Sequence, residues 1–263
     1  MKIELDMHTH TLASGHAFST IQEMAKAGAE KGLKLLGITE HTLGIPGTCD
    51  PIYFRNLQVV PRQMYGIELM LGAEINILDG EGNIDADEEL MRRLDIRIAG
   101  IHSLCYTHGT KEENTHGMMQ AIRHPYIQII SHPGDGTALL DFEPMVLASK
   151  ECGTLLEINN SSLKPTRNKV DARDNNLEIL RLCKRNEVPV ILGSDAHISF
   201  DIANYEHLYA LLQETEFPEE LIVNRSVEIF KNYLKKIGYA DIICLFRKHL
   251  SFFVGRGSDA YFR

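Results

Sequence analysis

Seven short apolar runs, each followed by a polar stretch, constrain this chain more than any other feature. The first lies within residues 2–10, where Ile3, Leu5 and Met7 alternate with Glu4, Asp6, His8 and His10. That is a period-two pattern, which gives a strand with two unlike faces. The later runs, near residues 35–41, 67–78, 96–102, 127–132, 154–159 and 188–197, are mostly apolar and end in polar residues. Such runs suit parallel strands buried on both faces. Strand, crossover, strand, repeated in this order, predicts an α/β fold with parallel strands.

Helical patterns fill most of the connections. Ser19 with Gln22 three residues on reads as a capping box opening the first helix, and Gly32 as its stop. Further helices are expected over residues 85–94, 114–123, 143–152, 175–184 and 205–212, and from Ser226 to 237. One connection departs from the pattern. Residues 42–64 hold Gly44, Pro46, Gly47, Pro51 and Pro61. A loop of that length inside a compact domain is usually functional, so it is expected to cover a site.

No linker or composition break divides the chain, so residues 1–238 are expected to form one domain, followed by a tail at 239–263. The tail carries Ile242, Phe246, Leu250 and Phe252 and could dock on the domain or on a partner. A net charge of −9 disfavours a stable grip on nucleic acid. No apolar run reaches membrane-spanning length, and no secretory signal precedes the first strand. The five scattered cysteines form no Cys-x-x-Cys pair, which suits reduced thiols in a cytoplasmic protein. The surface permits a homo-oligomer without requiring one.

The histidines carry the functional signal. His8 and His10 stand two apart at the end of the first strand, so both leave one face. His16 follows in the next loop. His41, Glu74, His102 and His132 end the next four strands, and Asp195 and His197 end the last. In a closed parallel barrel these ends share one rim, where barrels of this kind build active sites. Nine ligands exceed one tetrahedral ion and suit three divalent ions with shared carboxylates. Zinc is expected first, with manganese or iron as alternatives, because imidazole suits them better than magnesium. Three such ions would leave the bare pocket near +4, a field for a small phosphorylated substrate. His108, His116, His124, His207 and His249 lack strand-end placement and read as surface or structural residues.

Together, Asp6-Met7-His8-Thr9-His10, Glu40-His41, Glu74, His102-Ser103, Ser131-His132-Pro133 and Gly193-Ser194-Asp195-Ala196-His197 resemble the PHP (polymerase and histidinol phosphatase) family. Within it the chain is most similar to the YcdX-type phosphatases, through residues 44–56 and Glu157-Ile158-Asn159-Asn160-Ser161-Ser162 as well. The resemblance runs from residue 1 to about 237. It implies a distorted seven-stranded (β/α)7 TIM-like barrel with a trinuclear cleft. It implies one ion on His8, His10, Glu74 and Asp195, a second shared by Glu74 with His102 and His132, and a third on His16, His41 and His197.

The expected activity is a phosphatase that hydrolyses a small phosphomonoester. A metal-bound hydroxide, formed near pH 7, would attack phosphorus in line. Glu74, Asp195 and His197 are expected at the catalytic centre. Arg167 or Arg173 would grip the phosphate, and Asp135 would protonate the leaving group or orient a water. The alternatives are a phosphodiesterase or exonuclease on nucleotides, a histidinol phosphatase, and a metal-binding module without catalysis.

Overall fold

A computed structural model describes residues 2–167, 169 and 171–236. The expected tail at 239–263 lies outside the described residues, as do Cys244 and His249.

Seven parallel strands form a nearly closed barrel: β1 (Leu5–Asp6), β2 (Leu35–His41), β4 (Ile67–Ile77), β5 (Ile96–Ile101), β6 (Ile129–Ile130), β7 (Leu155–Asn159) and β8 (Val190–Gly193), paired in that order. An extra strand, β3 (Gln63–Met64), pairs antiparallel with β4. No continuous ladder joins β8 to β1. One bridge between Thr9 and Ala196 closes the ring, with His10 N–H donating to the Ala196 carbonyl at 2.9 Å. The seam therefore lies between His8–His10 and Asp195–His197.

The helices are α1 (Ile21–Glu30), α2 (Pro51–Asn56), α3 (Glu88–Arg93), α4 (Lys111–Arg123), α5 (Phe142–Cys152), α6 (Ala172–Asn186), α7 (Glu206–Glu214) and α8 (Val227–Lys236). The capping box of α1 sits one residue later than the sequence suggested. Thr20 is the cap and Glu23 its partner, while the Ser19 hydroxyl accepts from Ser199 N–H at 3.0 Å. Asp85 does not open α3. Asp87 caps it, and Asp85 instead accepts from Gly44 N–H at 2.6 Å and from the Asn76 side chain at 2.7 Å. The long connection 42–64 is not a bare loop, since it contains α2, a 3-10 turn and β3.

Two hydrophobic layers hold the barrel. The larger lies between strands and helices and includes Leu36, Leu69, Ile75, Met145 and Leu180. The smaller fills the barrel interior with Leu5, Leu35, Ile96, Ile98, Ile129, Leu155 and Ile191. Most of these occupy the N-terminal ends of their strands, and Phe230 and Leu234 of α8 join them there. The interior is thus packed from the bottom with aliphatic side chains, and the inward positions at the top are left to polar residues. The bend at His132 serves that end. Alternation along β6 puts Ile129 inside and would aim His132 outward, but His132 has φ 33°, which breaks the alternation.

Candidate metal centre

All nine expected ligands, His16 from its loop and the others from strands and strand ends, meet above the barrel interior. Glu74, fully buried in the last third of β4, is the hub. Its Oε2 lies 3.2 Å from His8 Nε2, 3.3 Å from His10 Nε2 and 3.2 Å from His41 Nδ1. Its Oε1 lies 2.9 Å from His132 Nε2 and 3.3 Å from His102 Nε2. Asp195 Oδ1 stands 3.6 Å from His8 Nε2, 3.4 Å from His10 Nε2 and 3.3 Å from His197 Nδ1. His16 Nε2 and His197 Nε2 are 3.0 Å apart. Three triplets have mutually close ligand atoms: His8 with His10 and Glu74, His41 with Glu74 and His102, and His10 with His41 and His197. His41 therefore sits between groups rather than with His16 and His197 alone.

The backbone is bent to bring them together. Asp195 has φ 51°, a conformation that non-glycine residues adopt at a cost. Gly193 is required two residues before it, because a Cβ there would stand 1.7 Å from Glu157 Oε1. Gly100 clears Ser131 and His132 in the same way, since a Cβ there would stand 2.2 Å from Ser131 Oγ and 3.0 Å from the His132 ring.

A second set of buried side chains orients the imidazoles. His8 Nδ1 donates to Glu157 Oε1 at 2.8 Å, and Glu157 Oε2 accepts His132 N–H at 2.7 Å. The Ser14 hydroxyl donates to Glu40 Oε2 at 2.6 Å, which leaves its oxygen to accept from His10 Nδ1 and His41 N–H, each at 3.1 Å. Both assignments put the ring proton on Nδ1 and leave Nε2 free at the centre. Thr11 also donates to Glu40, and Tyr53 of α2 reaches it at 3.3 Å, which ties the long connection to the site. Neither Glu157 nor Glu40 was expected from the sequence to support the site. The signal for both was present: each is a carboxylate at an inner or strand-end position of an apolar run, where a charge needs a partner.

The electrostatics follow from crowding. Burial raises the Glu74 carboxyl, but His8, His102 and His41 outweigh it and hold Glu74 well below its usual range. Burial opposes a charge on His8, and Glu157, Glu74 and Asp195 reverse that and raise it. Burial and the neighbouring His10 push His197 down to about 3. Burial disfavours protonated His132, yet its bond to Glu74 lifts it to about 9.

A cleft of about 150 Å³ opens above the cluster. Arg167, Lys169, Asp135, Ser161 and Ser162 line it together with Ile45, the one cleft residue from the long connection. Arg167 Nε donates to Ser161 Oγ at 3.0 Å. Arg173, expected as a possible phosphate grip, does not reach the cleft. It pairs with Glu214 of α7 on the surface, because α6 begins with Ala172 facing inward and the next residues, Arg173 and Asp174, exposed. Lys169 was not expected. It donates to Asp135 Oδ2 and Thr137 Oγ1, both at 2.6 Å. His116 and His124 lie away from the cleft, as expected, His116 against the Gly80 carbonyl and His124 accepting from Tyr126 N–H.

The PHP domain family model matches residues 6–246. The chain belongs to the PHP domain family. A protein named probable phosphatase from Clostridium novyi is 43% identical over 238 residues, covering 90% of this chain and 97% of that protein. Another of that name from Caldicellulosiruptor bescii is 45% identical over 238 residues, covering 90% and 98%. Among solved structures, the histidinol phosphate phosphatase of Lactococcus lactis, complexed with zinc, L-histidinol and phosphate, shares the fold. Its TM-score is 0.56 at 17% identity, over 83% of this chain and 95% of its own. This PHP chain thus has the barrel that the resemblance implied. No helix among its described residues is long and apolar enough to cross a membrane.

Proposed function

We propose that this PHP domain is a metal-dependent phosphatase acting on a small phosphomonoester at a site for three divalent ions. The spacing of ligand atoms carries the reading. A tetrahedral ion with bonds near 2.0–2.1 Å keeps its donors about 3.3–3.4 Å apart. The ligand atoms of His8, His10 and Glu74 stand 3.1–3.3 Å apart, and Asp195 Oδ1 lies 3.6 and 3.4 Å from those of His8 and His10. His41 Nδ1 and Glu74 Oε2 supply a second fit. They are buried and 3.2 Å apart, yet neither has a hydrogen-bond partner. A lone pair from each is then left for a cation, Glu74's for the first or second ion and His41's for the third. The names of the relatives, probable phosphatase, support hydrolysis of a phosphoric ester.

One ion would rest on His8, His10, Glu74 and Asp195. Glu74 would share a second with His102 and His132, and His16, His41 and His197 would hold a third. Zinc fits the imidazole-rich set best. Bound ions of this kind supply an activated water near neutral pH and neutralise charge on the phosphoryl oxygens. The protein does the rest. Glu157 and Ser14 accept the Nδ1 protons of His8 and His10, so that their Nε2 atoms are aimed inward, where they would meet the ion. Arg167 offers its remaining N–H donors to the phosphoryl oxygens, where charge is spread in the transition state. Asp135 fits holding Lys169 at the cleft better than donating a proton: burial raises its carboxyl, but His132 and Lys169 win and keep it ionised.

The test is phosphate release from simple phosphomonoesters by zinc- or manganese-loaded protein. His132→Ala is expected to abolish it while the protein stays folded. Unchanged turnover in that variant at full metal loading would overturn the assignment.

A further inference from the structure

The cleft is chemically divided. Its polar part comes from the segments after β6 and β7: Asp135, Thr137, Ser161, Ser162, Arg167 and Lys169. Its apolar residues come from the segment after β2 and from the end of β5 and the turn beyond it, where Ser103 also lines the cleft: Ile45, Ile101 and Leu104. Ile45 and Ile101 are buried and belong to the walls. Leu104 is different. It is 70% exposed and belongs to neither hydrophobic layer, yet it lines the cleft.

Its position is set by a metal-type residue. Leu104 occupies the third place of the turn 102–105, closed by Cys105 N–H donating to the His102 carbonyl at 3.1 Å. Tyr106 N–H donates to the same carbonyl at 3.0 Å. The turn thus holds Leu104 two residues beyond His102, whose Nε2 faces Glu74, and both line the cleft. A phosphoryl group at the donor cluster must project its ester oxygen out of a cleft of about 150 Å³, smaller than the usual pocket for a whole small ligand. The group beyond that oxygen leaves the cleft beside either Leu104 or the Arg167–Lys169 side. Lys169 is already bonded to Asp135 and Thr137, and Arg167 is directed to phosphoryl oxygens.

We infer that Leu104, with Ile45 and Ile101, forms an apolar subsite for the leaving group, so that this chain prefers phosphomonoesters whose alcohol is alkyl or aryl over those of polyols. This rests on the phosphatase reading above.

The test is a series of n-alkyl phosphates, from methyl to butyl, with glycerol 3-phosphate as the polyol, on the metal-loaded full chain. These alcohols leave with similar intrinsic difficulty, so differences report binding of the alkyl group. Each added methylene is expected to raise kcat/KM by about 2–4-fold, as burial of one CH₂ gives at most about 4-fold. Glycerol 3-phosphate should fall below propyl phosphate. Calorimetric binding of methyl- and butylphosphonate should show the same order without turnover. Leu104→Ser should bring the butyl-to-methyl ratio close to one, while Leu147→Ser, an exposed leucine on α5, should leave it unchanged. A flat alkyl series, or a rise that survives Leu104→Ser, would overturn the subsite but leave the phosphatase reading standing. No hydrolysis of any ester by metal-loaded protein would overturn both.

Discussion

Nδ1 of His8 donates to Oε1 of Glu157 across 2.8 Å, with both side chains buried at the top of the barrel. This bond fixes which nitrogen of His8 faces the centre, and the other Glu157 oxygen holds the backbone of His132 in its left-handed turn. One carboxylate that is not itself a proposed ligand therefore aims two that are. Glu157→Gln is expected to weaken metal binding by about 10–100-fold, the usual effect of removing such a partner. Competition against a chromophoric chelator measures this, and circular dichroism should show the fold retained.

Gly193 makes room for that carboxylate. A Cβ at this position would overlap Glu157 Oε1, which has no free direction to move because both its oxygens are bonded. Gly193→Ala should cost about 1–3 kcal/mol of stability, as overpacked interiors do, and should weaken metal binding along with it. Urea unfolding of the metal-free protein separates the two effects.

Arg167 and Arg173 should behave oppositely. Arg167→Ala removes charge-assisted bonds worth about 1.5–3 kcal/mol, so KM should rise roughly 10–100-fold. Arg173→Ala breaks a surface pair whose arginine side chain is 56% exposed, and kcat/KM should stay within about twofold. Steady-state kinetics on one phosphomonoester decides both.

Much of this was legible in the residues, and the exceptions have physical causes. The strand ends were readable because a metal-type residue closing an apolar run is conspicuous, as at His41 and His102. The orienting carboxylates were visible as charges within apolar runs, but their roles were not, because nothing in sequence shows which imidazoles Glu157 and Glu40 serve. The extent of β1 and β6 was overestimated. Each ladder spans two residues, since His132 leaves the strand conformation and only Thr9 of the segment after β1 pairs across the seam. Arg173 could not be excluded from sequence. Six residues from Arg167, its direction depends on where α6 starts, and boundaries of that kind are set by tertiary packing.

Cys183 gives a stability prediction with a definite sign. Burial pushes its thiol up to about 12, against 9.0 for an ordinary cysteine. The unfolded chain therefore loses its proton first, and stability falls as pH rises above about 9. At pH 8, Cys183→Ala should be less stable than wild type by about 1 kcal/mol, for the buried group removed. At pH 10.5 the unfolded thiolate costs the wild type about 2 kcal/mol, so the order should reverse. Urea midpoints for both proteins at the two pH values check this. A constant difference would show that Cys183 is not buried as described.

Metal content per chain tests the central claim most directly. Protein purified without chelators, then measured by inductively coupled plasma mass spectrometry, is expected to carry close to three zinc, manganese or iron ions per chain. A value near zero in folded protein that cannot be reloaded would contradict the account, because the nine converging side chains would then be structural.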